Sequence, residues 1–136
     1  MITILLVDDH SYIRKGIHDL LESLEDIEVV ATATNGIEAV AKAQLHQPDV
    51  VIIDISMPLM NGIEATRQIR EHCPATRVLI LSIYENPFYV KDAVQAGATG
   101  YVLKDGLPNE LLEAIRTLYR GRPYFSPKLA PLVDPP

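Results

Sequence analysis

Short, unbroken apolar runs constrain this chain more than any other feature: Ile4-Leu5-Leu6-Val7, Val50-Val51-Ile52-Ile53, Val78-Leu79-Ile80-Leu81 and Tyr101-Val102-Leu103, with a weaker run at Val29-Val30-Ala31. A strand with one wet face alternates apolar and polar residues, so an unbroken run requires cover on both faces, as in a parallel sheet. Between the runs lie amphipathic stretches. The clearest places Ile13, Ile17, Leu20, Leu21 and Leu24 at helical spacing, and the last does the same with Leu111, Leu112, Ile115 and Leu118. Strand and helix alternate five times, which selects a doubly wound α/β fold with right-handed crossovers and helices on both faces. The fourth helix has both ends marked, by Asn86 as N-cap with Pro87 in the first turn, and by Gly97 as the stop.

A chain of 136 residues has room for one such domain, and 48% hydrophobic against 22% charged residues suits a folded core. The net charge of -6, with twelve unclustered Lys and Arg residues, excludes this segment as a nucleic-acid surface. No apolar run approaches the roughly 20 residues that cross a bilayer, and the N-terminus lacks the order of a signal peptide. A cytoplasmic protein without membrane contact is expected. Cys73 has no partner for an internal disulfide and shares a helical face with Thr66 and Ile69, so it reads as a packed thiol. Five of the ten prolines fall at 123, 127, 131, 135 and 136. The expected division is therefore a domain over 1–120 and, from Gly121, a proline-rich interdomain linker without regular structure.

In open α/β sheets ligands bind beyond the carboxyl ends of the strands, so the informative residues are those that follow each run. They are Asp8 and Asp9 after the first, Asp54 after the third, Ser82 after the fourth and Lys104 after the fifth. Singly each has a plain reading: a helix-start acid, a turn residue, a strand-end hydroxyl, a solvated cation. Together they do not. Three converging carboxylates repel one another and are tolerable only around a cation, and an oxygen-only donor set suits Mg²⁺ completed by water and a phosphate oxygen. Phosphoryl transfer needs an in-line nucleophile, a metal, a cation and positioned donors. Asp54 is the best nucleophile, because the loop Ile55-Ser56-Met57-Pro58 that follows offers backbone N–H groups to a phosphoryl group. Lys104 would neutralise its charge and Ser82 would donate to one of its oxygens.

These residues resemble those of a known family. The acidic pair, Asp-x-x-Met-Pro-x-x-Asn-Gly at 54–62, Ser82 and Lys104 look like the CheY-like receiver domain of response regulators over residues 1 to about 120. Val7-Asp8-Asp9-His10 with Arg14 and Gly16, and the stretch Gly97 to Asp105, resemble the NarL/FixJ subfamily in particular. The resemblance implies a flavodoxin-like (βα)5 sheet of order 2-1-3-4-5, an order that general accounts of the fold already give for CheY. It implies that Asp9, Asp54 and the Ser56 backbone carbonyl ligate Mg²⁺ directly, that Asp8 acts through a bound water, and that Ser82 and Tyr101 form a switch pair in which the ring turns inward. It further implies a sensor histidine kinase as phosphodonor, homodimer formation on phosphorylation, and DNA contact only through a C-terminal helix-turn-helix domain beyond this chain. On this reading the chain is a signalling domain and no enzyme beyond its own phosphoryl transfer and hydrolysis.

Other readings meet obstacles in the residues. A haloacid-dehalogenase-type phosphatase needs a second acid two positions after the nucleophile, where Ser56 stands. A nucleotide or flavin module needs glycines or hydroxyls in the first βα turn, which holds Asp8-Asp9-His10. A stand-alone receiver that acts through protein–protein contacts is the alternative within the family. The four histidines lie on different expected elements and read as solvated, with His10 adjoining the acidic pair.

Overall fold

The computed structural model describes residues 1–133. Strands β1 (Ile2–Val7), β2 (Ile27–Ala33), β3 (Val50–Ile53), β4 (Arg77–Ser82) and β5 (Gly100–Leu103) alternate with helices α1 (Ser11–Glu22), α2 (Gly36–His46), α3 (Gly62–His72), α4 (Pro87–Ala96) and α5 (Asn109–Tyr119). A single 3-10 turn at Lys104–Gly106 links β5 to α5, and β6 (Tyr124–Phe125) and α6 (Ala130–Val133) follow. The sheet is parallel in order β2-β1-β3-β4-β5-β6. Every apolar run is a strand, and the five-strand order matches the expectation. Asn86 caps α4 through its side chain, which accepts from the Phe88 N–H, and Gly97 ends the helix at φ 111.

The period-two geometry of a strand divides the core into two layers. Leu5, Val7, Val51, Ile53, Val78 and Ile80 pack on one face with Ala39 and Ala43 of α2, Ala65 and Ile69 of α3, and Val90 of α4. Ile4, Leu6, Val50, Ile52, Leu79 and Leu81 pack on the other with Ile17 and Leu21 of α1 and Leu111, Ile115 and Leu118 of α5. All four residues of β3 are at most 1% exposed, as an unbroken run between two layers requires. Each such side chain contributes about 1.5–3 kcal/mol of transfer free energy. Cys73, at the end of α3, is buried in the first layer.

The segment after Gly121 corrects the sequence reading. It is ordered against β5: Tyr124 N–H donates to the Thr99 carbonyl at 3.1 Å and Ser126 N–H to the Tyr101 carbonyl at 3.0 Å. The Ser126 hydroxyl accepts from Leu103 N–H at 3.0 Å and donates to Glu110 Oε1 at 2.6 Å, and Leu129 is 1% exposed. The prolines border this structure without interrupting it. Pro123 and Pro127 flank β6 and leave the N–H groups of Tyr124 and Ser126 free to pair, and Pro131 lies in the first turn of α6, where a missing N–H costs nothing. Residues 134–136 of the expected linker lie outside the described residues.

Candidate functional site

Register brings the acids together. Val7 pairs with Ile53 across β1 and β3, so the next residues, Asp8 and Asp54, emerge side by side, and Asp54 N–H donates to the Val7 carbonyl at 3.2 Å. Ile53 pairs with Ile80, and Ser82 with Leu103, which carries Ser82 and Lys104 to the same end of the sheet. Asp8 and Asp54 are 2% and 5% exposed, whereas Asp9 opens to solvent. Lys104 Nζ lies 3.2 Å from Asp54 Oδ2 and 3.4 Å from Asp8 Oδ2, bridging the two buried carboxylates.

The charges do not balance. Three carboxylates face one ammonium, and burial, then the neighbouring Asp8, push the Asp54 carboxyl above its ordinary value against the opposing pull of Lys104. One donor atom from each of Asp8, Asp9, His10 and Asp54 falls within a mutual 4.8 Å. An oxygen-rich set of this size, open on the Asp9 side, fits a hard divalent cation with waters completing its shell.

Next to the acids, a cleft of about 230 Å³ is lined by His10, Ile13, Asp54, Ser56, Ile83, Tyr84 and Lys104. The chain leaving Asp54 is fixed by the Gly62 N–H, which donates to the Ile55 carbonyl at 2.8 Å, and by Asn61, whose side chain caps α3. Among the described residues, no protein acceptor takes the N–H of Ser56 or Met57. A methyl group on Gly62 would stand 2.0 Å from the Asp54 carbonyl oxygen, so only glycine admits this close passage of α3 beneath the acid loop.

A receiver-family model, the response regulator receiver domain, matches residues 4–116. The chain belongs to the response regulator receiver family. The oxygen regulatory protein NreC of Staphylococcus carnosus is 43% identical over 127 residues, which make up 93% of this receiver and 58% of that protein. The transcriptional regulatory protein LnrK of Bacillus subtilis is 38% identical over 129 residues, 95% of this receiver and 59% of LnrK. The receiver thus spans under three fifths of the length of these curated relatives. A crystal structure of a LuxR-family two-component response regulator from Aurantimonas sp. SI85-9A1 superimposes at TM-score 0.91 and 39% identity, covering 96% of this chain and 94% of that one. A LuxR-family DNA-binding response regulator from Staphylococcus aureus gives 0.83 and 30%, covering 88% and 99%. These matches place the receiver among NarL/LuxR-type response regulators, a family that is phosphorylated on an aspartate by sensor kinases and uses Mg²⁺ at an acidic pocket.

Of the residues singled out from the sequence, Asp8, Asp9, Asp54 and Lys104 form one cluster in this receiver, with Ser56 on the cleft wall. Ser82 is wholly buried and its Oγ accepts from the Tyr84 N–H at 3.0 Å, leaving its own proton to donate. Tyr101 is inward: its ring is 0% exposed, its hydroxyl donates to the Tyr84 carbonyl at 2.7 Å, and burial pushes that hydroxyl up to about 12. Tyr84 therefore joins the two by its backbone, and its ring stacks on Tyr89 of α4 at 4.4 Å. Two further residues matter here, His10, read from the sequence as solvated, and Arg14, quoted only for the family resemblance. His10 Nδ1 lies 3.2 Å from both Asp8 Oδ1 and Asp9 Oδ1, and the Arg14 guanidinium holds the Asp8 carbonyl at 2.6 Å. The signal for His10 was its place directly after the acids.

Proposed function

We propose that Asp54 is the phosphoacceptor, with Lys104 and Ser82 as its phosphoryl-binding partners. The observation that carries this reading is the Lys104 bridge, which places a cation from the turn after β5 at 3.2 Å from a buried carboxylate at the end of β3. A phosphoryl group on Asp54 would keep that cation, add charge that the ammonium offsets, and meet the N–H groups of Ser56 and Met57. Ser82 would give its hydroxyl proton to a further oxygen. Asp9, Asp54 and the Ser56 carbonyl would hold Mg²⁺ directly, with Asp8 orienting a bound water. The ion supplies positive charge at the transferring oxygens. Ser82 and Tyr101 form the switch pair, coupled through Tyr84, whose N–H donates to the Ser82 hydroxyl and whose carbonyl accepts from the Tyr101 hydroxyl; the ring already stands inward, so the pair's inward arrangement is the one this structure holds. Residues 1–120 act as a cytoplasmic receiver for a sensor histidine kinase, and 121–136 join it to what it controls. By likeness to regulators of transcription, that is a DNA-binding helix-turn-helix output, with phosphorylation promoting a homodimer.

Beryllofluoride, which mimics a phosphoryl group on a carboxylate, tests the reading. Added with Mg²⁺, it should shift the amide resonances of residues 54–58, Ser82, Tyr84 and Lys104 in the wild-type protein and leave Asp54→Asn unmoved. Shifts that persist in Asp54→Asn would refute the assignment.

A further inference from the structure

We propose that Phe125 of β6 is a positioning residue for Tyr101: seated beside that ring, it holds the ring inward whether or not Asp54 carries a phosphoryl group. The inference deepens the reading of Ser82 and Tyr101 as a switch pair and rests on it. The sheet order makes β5 an inner strand only because β6 pairs along its far side. Tyr101 therefore has a paired neighbour on each flank, Ile80 of β4 and Phe125 of β6. Paired residues of neighbouring strands point to the same face, and Ile80, Tyr101 and Phe125 all pack in the layer shared with α2, α3 and α4. Without β6 the ring would lie on an edge strand, with water at its open flank and room there for an outward rotamer. With Phe125 in that place the ring is fully covered. Its hydroxyl donates to the Tyr84 carbonyl at 2.7 Å. None of these contacts involves an acid of the pocket, so the hold does not depend on a phosphoryl group.

Two residues of β6 could not hold a ring unless they were fastened themselves. The N–H groups on either side of Phe125 are both taken, that of Tyr124 by the Thr99 carbonyl at 3.1 Å and that of Ser126 by the Tyr101 carbonyl at 3.0 Å. The Ser126 hydroxyl accepts from Leu103 N–H and donates to Glu110, which ties the segment to β5 and α5 at once. Beyond it Leu129 is buried, Leu132 packs on the same layer, and α6 lies against α4. Lys128 reaches Asp105 at 3.4 Å and Glu85 at 4.0 Å, but all three side chains are exposed and such pairs contribute little. The backbone bonds and the leucines carry the hold. Whatever lifts β6 from β5 frees the ring, so the seating of this segment and a phosphoryl group on Asp54 bear on one rotamer.

Three-bond NMR couplings from the backbone nitrogen and carbonyl carbon to Cγ of Tyr101 read its χ1 rotamer directly, free of the ring-current change that a lost phenylalanine brings. They are measured on the full chain in wild type, Phe125→Ala and Phe125→Leu, with Mg²⁺, before and after beryllofluoride. Wild type should show one rotamer in both conditions, with the outward one below about a tenth of molecules. Phe125→Ala should raise the outward-to-inward ratio by roughly tenfold, and beryllofluoride should draw the couplings back to the wild-type values. Phe125→Leu, which keeps the bulk, should stay near wild type. A residue that merely stabilised β6 would leave the Tyr101 rotamer unmoved, so Phe125→Ala with a single inward rotamer would overturn the proposal. Couplings averaged over rotamers in wild type before beryllofluoride would overturn it too, without any variant having to fold. If Phe125→Ala populated the outward rotamer and beryllofluoride left it there, the hold by Phe125 would stand and the reading of Ser82 and Tyr101 as a switch pair would fall.

Discussion

Asp54 illustrates what a single buried acid costs a fold and why that cost is tolerated. Its carboxyl is raised in the folded protein by burial and by Asp8, so the folded state holds a proton more tightly than the unfolded chain does. A raised carboxyl makes the charged form the unfavourable one: the native protein loses stability as pH rises from the ordinary carboxyl value near 3.8 through the folded value. Asp54→Asn should therefore raise the melting temperature at pH 7 in metal-free buffer, and the gain should vanish toward pH 4. A gain independent of pH would assign it to packing. The acid, hydroxyl and lysine positions were all legible in the sequence, because each directly follows an apolar run. His10 was legible only by its place directly after the two acids, and the turn of its ring toward both became visible with the fold. The inward Tyr101 ring was anticipated by the family resemblance, but its partner, the Tyr84 carbonyl beyond the end of β4, was not.

Among the elements, the strands were readable because burial on both faces writes an unbroken apolar run, and α4 because its caps are explicit. β6 escaped for a physical reason: two residues between prolines carry no periodicity, and their pairing comes from Thr99 and Tyr101, remote in sequence. Ser126 is the pin of that segment, and Ser126→Ala leaves the buried Leu103 N–H without an acceptor. A loss of about 1–3 kcal/mol in denaturant unfolding is expected, with faster amide exchange at Leu103. Slow exchange at Leu103 in the variant would contradict the role. Two glycines make a paired test of helix placement. Gly16 has nothing within 4 Å of an added methyl, so Gly16→Ala in α1 should stabilise by about 0.5–1 kcal/mol. Gly62→Ala would drive a methyl against the Asp54 carbonyl and should destabilise by several kcal/mol, measured in the same denaturant series.

At the scale of the molecule, one sheet with a core layer on each face carries a net-negative pocket at one end, with β6 paired to β5 and α6 packed against α4. Lys104 follows β5, Tyr101 lies within it, and Ser126 bonds to both Leu103 and Glu110. No described helix is long and apolar enough to cross a membrane. Phosphorylation on an aspartate is general to the receiver family to which the chain belongs, and Asp54 is the acceptor proposed here. The most direct measurement is incubation of the protein with Mg²⁺ and acetyl phosphate, followed by peptide mapping of the acyl phosphate in wild type and in Asp54→Asn. A single base-labile phosphoryl group on the peptide containing Asp54, absent from the variant, is the predicted result, and undiminished labelling of Asp54→Asn, or labelling mapped to Asp8 or Asp9 in the wild type, would contradict it.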